Sequence, residues 1–191
     1  MRKLIAGMKI SLDGKTEGAD GMADWVEAWS EDFGLTDQID ACLMGGGMYP
    51  GYERYWTGLQ THPDEPAWIT GAPPTAAELS WADFAAHTPH YVLSRSLRSA
   101  TWPNTRFLRN LDDVSTLKAA KGKDIYLMGG ARIAAALMDA GLVDELRLIV
   151  HPIIAGEGPA LFAAGMQRRK AELLNAETKP KGLLKLTYAL S

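Results

Sequence analysis

The stretch Asp124–Leu137, DIYLMGGARIAAAL, decides how the fold of this sequence is interpreted. An apolar, strand-like run is interrupted by Gly129 and Gly130 and continues at once as an alanine-rich pattern typical of a helix. One glycine suffices for a tight turn, so the second indicates that a ligand approaches the backbone closely. The first amides of the following helix would then face this ligand with the positive end of the helix dipole. The stretch therefore predicts a phosphate-binding turn, with close packing of the helix on the sheet as the alternative.

The composition permits one globular domain and argues against several classes of protein. A chain of 191 residues is long enough to bury a substantial core, and we predict a single domain over residues 1–191. A formal net charge of -3 offers no general attraction to nucleic acid or to an anionic membrane. Cys42 is the only cysteine, which excludes an internal disulfide and fits a reducing compartment. The apolar stretch at the amino terminus is too short for a signal peptide, and no apolar segment has the length of a membrane span. We therefore expect a soluble cytoplasmic protein.

Strand-like and helix-like segments alternate along most of the chain. The predicted strands cover residues 4–10, 39–44, 90–94, 125–128 and 145–150. Three helices are predicted between them: one begins at the capping-box pair Thr75 and Glu78, one is capped by Asp112 or Asp113 and stops at Gly122, and one ends at Gly141. This alternation predicts an α/β layer with parallel strands.

The carboxyl-terminal part follows a different pattern. Apolar and polar residues alternate in LLKLTYAL at 183–190, and Lys181-Gly182 forms a turn that joins this strand to another near residues 173–178. We therefore predict an antiparallel hairpin at the edge of the sheet. The fold class is α/β, with a mixed, mostly parallel sheet flanked by helices.

Four segments together carry a resemblance to a known family. They are SLDG at 11–14, YVLSRSL at 91–97, DIYLMGGARIAAALMDAGLVDELRL at 124–148 and HPIIAGEGPALF at 151–162. In this order they resemble the reductase domain of bacterial riboflavin biosynthesis and, more widely, the dihydrofolate reductase-like superfamily. The resemblance implies a dihydrofolate reductase-like fold, an NADPH site along the carboxyl ends of the strands, and a homodimer.

The resemblance assigns cofactor contacts to three parts of the chain. The turn and helix start formed by Gly129, Gly130, Ala131, Arg132 and Ile133 would hold the pyrophosphate. Ser94 and Arg95 would lie on the adenine side, where a guanidinium suits the 2'-phosphate that distinguishes NADPH from NADH. Ala6 would lie on the nicotinamide side. An exposed turn is the alternative interpretation of Ser94 and Arg95.

The segment CLMGGGMYP at 42–50 departs from the family pattern. Related chains carry a Gly-Arg-x-Thr pattern whose Arg and Thr help to hold the phosphates, and Gly46 and Met48 stand at those two positions. The backbone amides of Gly46, Gly47 and Met48 remain as candidate donors if a helix follows them. Gly45, Gly46 and Gly47 are therefore assigned to the cofactor site.

On the substrate side, the resemblance assigns Ser11, Trp25, Asp32, Gly156 and Gly158 as binding residues. Core packing is the alternative for Trp25, and a β-bulge with its connection is the alternative for the two glycines. Asp13 is the candidate for a hydrogen bond to a polar substrate, with a simple turn aspartate as the alternative. No metal site is predicted, because one cysteine cannot supply a zinc deaminase centre and Pro89 separates His87 from His90.

The most consistent function is an NADPH-dependent reductase that transfers hydride to a small heterocyclic substrate, similar to 5-amino-6-(5-phosphoribosylamino)uracil reductase. A dihydrofolate reductase or another small-molecule reductase on the same fold is the first alternative. The second is a non-catalytic dimeric NADPH-binding module. Neither nucleic acid nor membrane is expected as a partner.

Overall fold

A computed structural model describes residues 1–27, 29–162 and 164–191. Its helices are α1 (Tyr49–Thr61), α2 (Ala76–His87), α3 (Leu111–Ala119) and α4 (Ala131–Asp139). Its strands are β1 (Leu4–Ser11), β2 (Ile39–Gly45), β3 (His90–Leu93), β4 (Thr105–Leu108), β5 (Asp124–Gly129), β6 (Glu145–His151), β7 (Ala171–Thr178) and β8 (Leu184–Leu190). No helix of the described ranges is both long and apolar enough to cross a membrane.

The eight strands form one sheet in the order β4-β3-β2-β5-β1-β6-β8-β7. The first six strands in this order pair in parallel, whereas β8 pairs antiparallel with both β6 and β7. The predicted fold class is confirmed: the sheet is mixed and mostly parallel, and a hairpin closes its carboxyl-terminal edge. Parallel pairing also brings the carboxyl ends of six strands to one edge of the sheet, where ligands bind in open α/β folds.

A separate apolar core lies on each face of the sheet. On one face, α1 and α2 bury aromatic side chains such as Tyr49, Trp56 and Trp81. On the other face, α3 and α4 bury aliphatic side chains such as Val114 and Leu137. The central strands are buried on both faces, which explains why their sequences are almost continuously apolar.

The helix starts show where local sequence signals were sufficient and where they were misleading. The Thr75–Glu78 capping box of α2 is confirmed, since the Thr75 side chain accepts from the Glu78 amide at 3.2 Å. The predicted cap of α3 at Asp112 or Asp113 is wrong. Asn110 is the cap, because its side-chain oxygen accepts from the Asp113 amide at 2.9 Å, and the helix ends at Ala119 before reaching Gly122.

Helix α1 and strand β4 were not predicted from the sequence. No described side chain caps α1 and its first turn contains no acidic residue, so Pro50 is the one usual start signal that the described residues provide there. Its aromatic residues also resemble those of a strand. Strand β4 is four residues long with no fully buried position, so it lacks the apolar run typical of an inner strand.

His90 gives the stability of this fold a pH dependence. The ring is fully buried, with Nδ1 2.8 Å from the Thr88 carbonyl oxygen and Nε2 3.2 Å from the Tyr52 hydroxyl. Burial lowers the pKa of His90 from 6.5 to about 4. The unfolded chain therefore binds a proton more readily than the folded protein, so this contribution is complete above pH 6.5 and is lost as the pH falls toward 4.

We expect protonation of His90 to lower the free energy of unfolding by roughly 3 kcal/mol between neutral pH and pH 4. The measurement is urea unfolding of the parent protein and of His90→Gln over that range. We expect His90→Gln to be less stable than the parent at pH 7 but to lose less unfolding free energy as the pH falls. The control His62→Gln, at an exposed histidine, should lose as much as the parent. Parallel pH profiles for the parent and His90→Gln would contradict the assignment.

Candidate functional site

The two glycine-rich turns of the sequence meet at the carboxyl edge of the sheet. Strand β2 ends at Gly45 and the adjacent strand β5 ends at Gly129, with Met44 in register with Gly129. A Cβ atom on Gly45 would lie 3.3 Å from Cγ2 of Ile133, in the first turn of α4. The segments predicted separately as phosphate sites are therefore neighbours.

Gly129 and Gly130 are glycines for different reasons. Gly129 has φ +123°, a conformation that L side chains rarely adopt, whereas Gly130 has an extended conformation, and the peptide bond between them is cis. A Cβ atom on Gly130 would meet no described atom within 4 Å. The packing of the described chain therefore does not require a glycine at position 130, and the space above it is available to a ligand.

The start of α4 is suited to an anion. Gly130 is its N-cap residue, no described side chain caps the helix, and the first turn contains no acidic residue. Arg132 is exposed, while Ala131 and Ile133 are half-buried. Uncapped amides and the positive end of a helix dipole attract a phosphate group, so these residues fit the pyrophosphate of a dinucleotide.

Gly46 lies against Ser94, which explains why no arginine stands at this position. A Cβ atom on Gly46 would lie 2.4 Å from Oγ and 2.5 Å from Cβ of Ser94. The amide of Gly46 already donates to the Leu93 carbonyl oxygen, and that of Met48 donates to the Gly45 carbonyl oxygen. The Gly47 amide has no partner among the described residues, so it is the donor of this loop that remains for a phosphate.

A cavity of about 410 Å³ lies beside Ser94 and the exposed Arg95. A second guanidinium, Arg109, also lines it; its Nη1 donates to the Leu97 carbonyl oxygen at 2.8 Å and its guanidinium lies 5.2 Å from the Phe107 ring centroid. Sequence reasoning missed Arg109 because it follows the unpredicted strand β4. The cavity thus offers two positive charges where the 2'-phosphate contact was predicted.

A larger cavity, of about 580 Å³, opens at the carboxyl ends of β1 and β6 on the α1 and α2 face. Its charged lining consists of four lysines and two carboxylates: Lys9, Lys179, Lys181, Lys185, Glu27 and Asp32. Two predicted substrate residues, Trp25 and Asp32, lie in this wall. The excess of positive charge favours a ligand that carries an anionic group.

Ion pairs hold the walls of this larger cavity in place. The Lys9 ammonium lies 2.6 Å from Oδ2 of Asp32, and the Ser30 hydroxyl donates to the other oxygen of that carboxylate at 2.8 Å. A second ion pair, between Glu27 and Lys181, joins the segment after β1 to the carboxyl-terminal hairpin. These contacts connect three separate parts of the chain around one space.

The other predicted substrate residues, Ser11, Asp13, Gly156 and Gly158, are not among the residues that line the larger cavity. Asp13 accepts from the Ser11 hydroxyl at 2.6 Å, from the Ala155 amide at 2.9 Å and from the Gly156 amide at 2.8 Å, and these bonds lower its pKa to about 2. Gly158 packs against the backbone of Glu17. Asp13 thus joins two loops, and the contacts of Ser11, Asp13, Gly156 and Gly158 with a substrate stay predictions.

Ala6, the predicted nicotinamide contact, lies in the middle of β1. Its exposed fraction is 0 %, and its side chain belongs to the core between the sheet and the α3 and α4 layer. Its contact with a cofactor stays a prediction. In the described residues, no group of His, Cys, Asp and Glu side chains has the arrangement of a metal site.

His151 is a residue of the larger cavity that sequence reasoning did not single out. It ends β6, in register with Ser11 of β1, so both side chains leave the same face of the sheet. Burial and the nearby Lys9 ammonium lower its pKa, while Asp32 and Glu27 oppose that shift. Its position at the end of a buried strand, at the carboxyl edge of a mostly parallel sheet, was the signal that could have identified it.

The sequence profile described as RibD C-terminal domain matches residues 2–185. The chain belongs to the RibD C-terminal domain family. Two Bacillus subtilis (strain 168) proteins are similar to it over most of their length. Uncharacterized protein YyaP is 33% identical over 98% of this chain and 94% of its own, and uncharacterized protein YwjB is 24% identical over 84% and 83%.

Solved structures show the same fold. A putative riboflavin biosynthesis protein from Shewanella sp. PV-4 superposes with a TM-score of 0.70 at 19% identity, over 99% of both chains. A diaminohydroxyphosphoribosylaminopyrimidine deaminase/5-amino-6-(5-phosphoribosylamino)uracil reductase from Thermotoga maritima gives a TM-score of 0.62 at 14% identity. That superposition covers all of the present chain and 57% of the Thermotoga protein.

Proposed function

We propose that this protein is an NADPH-dependent reductase of a small heterocyclic substrate, similar in activity to 5-amino-6-(5-phosphoribosylamino)uracil reductase. The observation that carries the proposal is the placement of two sites on one edge of the sheet. The glycine turn of β5 and the larger cavity at β6 are separated by β1 alone. Two strand spacings amount to about 10 Å, which suits one extended dinucleotide that reaches from the turn to the cavity.

The residues along this edge fit the parts of NADPH in order. Arg95 and Arg109 supply positive charge for the 2'-phosphate, and the Gly47 amide with the start of α4 supplies donors for the pyrophosphate. When bound, NADPH would supply the hydride. The protein holds the substrate beside it and excludes water, because hydride transfer requires the reacting atoms within about 3 to 3.5 Å.

The larger cavity fits an anionic heterocycle as the hydride acceptor. In the reaction of the related reductases, the ribosyl carbon of the substrate accepts the hydride while the sugar ring opens, and the ring oxygen takes up a proton. The cavity lining contains more lysines than carboxylates, and this excess of positive charge matches a phosphate on such a substrate. This reaction needs no side-chain nucleophile and no metal.

The proposal is tested by NADPH oxidation in the presence of 5-amino-6-(5-phosphoribosylamino)uracil or of dihydrofolate. Oxidation with the pyrimidine supports the activity as stated, and oxidation with dihydrofolate alone favours a dihydrofolate reductase. Tight NADPH binding without oxidation by either compound favours the non-catalytic module. A protein that does not bind NADPH contradicts all three.

Arg95→Ala should remove most of the preference for NADPH over NADH. A charge-assisted hydrogen bond to the 2'-phosphate contributes about 1.5 to 3 kcal/mol, or roughly ten- to a hundredfold in affinity. Titration of both cofactors against the parent, Arg95→Ala and Arg106→Ala measures the effect, since Arg106 is an exposed arginine outside the smaller cavity. Equal affinity of the parent for the two cofactors is the result that contradicts the assignment.

We also propose that the protein is a cytoplasmic homodimer that pairs through the β7 edge. β7 is the outermost strand of the sheet, and all eight of its residues are exposed. Leu173 and Leu174 are 53% and 52% exposed, and Leu184 of β8 is 40% exposed. A bare apolar edge strand is prone to aggregation, so a second copy is the occupant that would cover it.

Sedimentation at micromolar concentration should therefore give twice the monomer mass of 20.8 kDa. The double variant Leu173→Lys/Leu174→Lys should sediment as a monomer, because paired charges oppose burial of the edge. Leu111→Lys, at a residue of α3 that is 36% exposed, is the control and should remain dimeric. A monomeric parent protein would overturn this proposal.

A further inference from the structure

Two buried polar atoms of the larger cavity lack partners. Nε1 of Trp25 and Nε2 of His151 are buried, and neither makes a hydrogen bond with any described residue. Burying a polar atom without a partner costs about 1 to 3 kcal/mol, so such atoms are rare in folded proteins. The residues that carry these atoms, Trp25 and His151, line the same cavity although they are far apart in sequence, which is the arrangement expected of a site that a ligand completes.

The other described polar groups of the cavity do not supply hydrogen-bond partners for these two atoms. The cavity's other polar groups are largely engaged: Lys9 with Asp32, Lys181 with Glu27, and Lys179 with Glu177 at 2.6 Å. Ser30 is also committed, through its hydroxyl, to Asp32. The indole N–H of Trp25 is only a donor, and an uncharged imidazole offers one nitrogen as an acceptor.

We propose that Trp25 and His151 are specificity-determining residues, which hold the substrate heterocycle by a donor–acceptor pair. The Trp25 indole N–H donates to a carbonyl oxygen or ring nitrogen of the substrate, and Nε2 of His151 accepts from an N–H of the substrate. A pyrimidinone ring has both groups on one edge. This assignment rests on the proposed function for the identity of the substrate, although not for the existence of the site.

The charges facing His151 are consistent with its role as an acceptor. Lys9 of β1 opposes protonation of the ring. Lys179, Lys181 and Lys185 of the hairpin line the same cavity. Asp32 and Glu27 favour protonation, but each is paired with a lysine. Burial and Lys9 together lower the pKa of His151, which favours the uncharged ring.

The role of these residues predicts opposite effects on stability and on binding. Trp25→Phe and His151→Leu each remove a polar atom that has no partner in the free protein, so the free variants should melt at or above the parental temperature. Each should nevertheless bind substrate about five- to fifteenfold more weakly, which corresponds to one lost hydrogen bond. His151→Gln keeps an acceptor and should restore part of the affinity.

The test is a titration of the full chain with 5-amino-6-(5-phosphoribosylamino)uracil, without NADPH, followed by NMR of ¹⁵N-labelled tryptophan and histidine. The Trp25 indole and His151 imidazole signals should shift with one dissociation constant, and Trp68→Phe, at an exposed tryptophan outside the cavity, should bind like the parent. Signals that remain unmoved at saturating probe, or variants that bind as tightly as the parent, would overturn the assignment. If both signals shift but NADPH does not bind, the proposed reductase function fails and this site stands.

Discussion

Gly158→Ala is expected to destabilise the protein by about 3 to 5 kcal/mol, the largest effect that we predict for a single added methyl group. Gly158 has φ +103°, and a Cβ atom there would lie 2.0 Å from the carbonyl oxygen of Glu17. That oxygen belongs to backbone held in place, since the amide of Thr16 donates to the Pro159 carbonyl oxygen at 2.9 Å. Relief of the clash therefore requires the two loops to separate.

Gly156→Ala is the matched control for this prediction. Gly156 lies in the same loop with φ +74°, but a Cβ atom there would meet no described atom within 4 Å. Gly156→Ala should therefore lower the free energy of unfolding only by the backbone strain at this positive φ, about 1 to 2 kcal/mol. Urea unfolding of the two variants measures the difference, and equal losses of unfolding free energy would show that the loops do not pack as described.

Local sequence patterns were sufficient for most of the fold. The central strands are buried on both faces, so their apolar runs identified β1, β2, β5 and β6 directly, and the alternation of LLKLTYAL identified β8. Capping-box spacing located the start of α2. At the start of α3 the sequence offers several capping residues close together, and the prediction of Asp112 or Asp113 is wrong because Asn110 forms the capping box with Asp113.

The candidate site could be predicted only in part, because much of it depends on contacts between distant segments. The glycines at 129 and 130 were recognisable because a turn signal followed a strand. By contrast, Gly46 is explained by its approach to Ser94, and no local pattern contains that contact. Trp25 and His151 form one cavity only after the segment that follows β1 folds over the end of β6.

Replacement of Gly130 is expected to weaken cofactor binding strongly while it leaves the stability of the protein almost unchanged. The added side chain points into open space, and the residue is the N-cap of α4 without a side-chain cap. Gly130→Asp should therefore stabilise the helix by a few tenths of a kcal/mol, since aspartate is a better N-cap than glycine and its charge favours the helix dipole. The same carboxylate would repel a pyrophosphate held at the α4 amides.

The charge repulsion should weaken NADPH binding by about a hundredfold or more, which corresponds to roughly 2.7 kcal/mol between charges a few ångströms apart near a protein surface. Gly130→Asn provides a control of equal size that also caps the helix but adds no charge. It should weaken binding by about tenfold at most, because it fills part of the space without opposing the phosphate.

The most direct test of the account is the NADPH dissociation constant of the parent, Gly130→Asp and Gly130→Asn, measured beside the unfolding temperature of each. We predict tight binding by the parent, binding weakened by about tenfold at most in Gly130→Asn and by about a hundredfold or more in Gly130→Asp, with all three proteins equally stable or the variants slightly more so. Equal NADPH affinities in the three proteins would contradict the placement of the pyrophosphate at α4, and with it the proposed cofactor site.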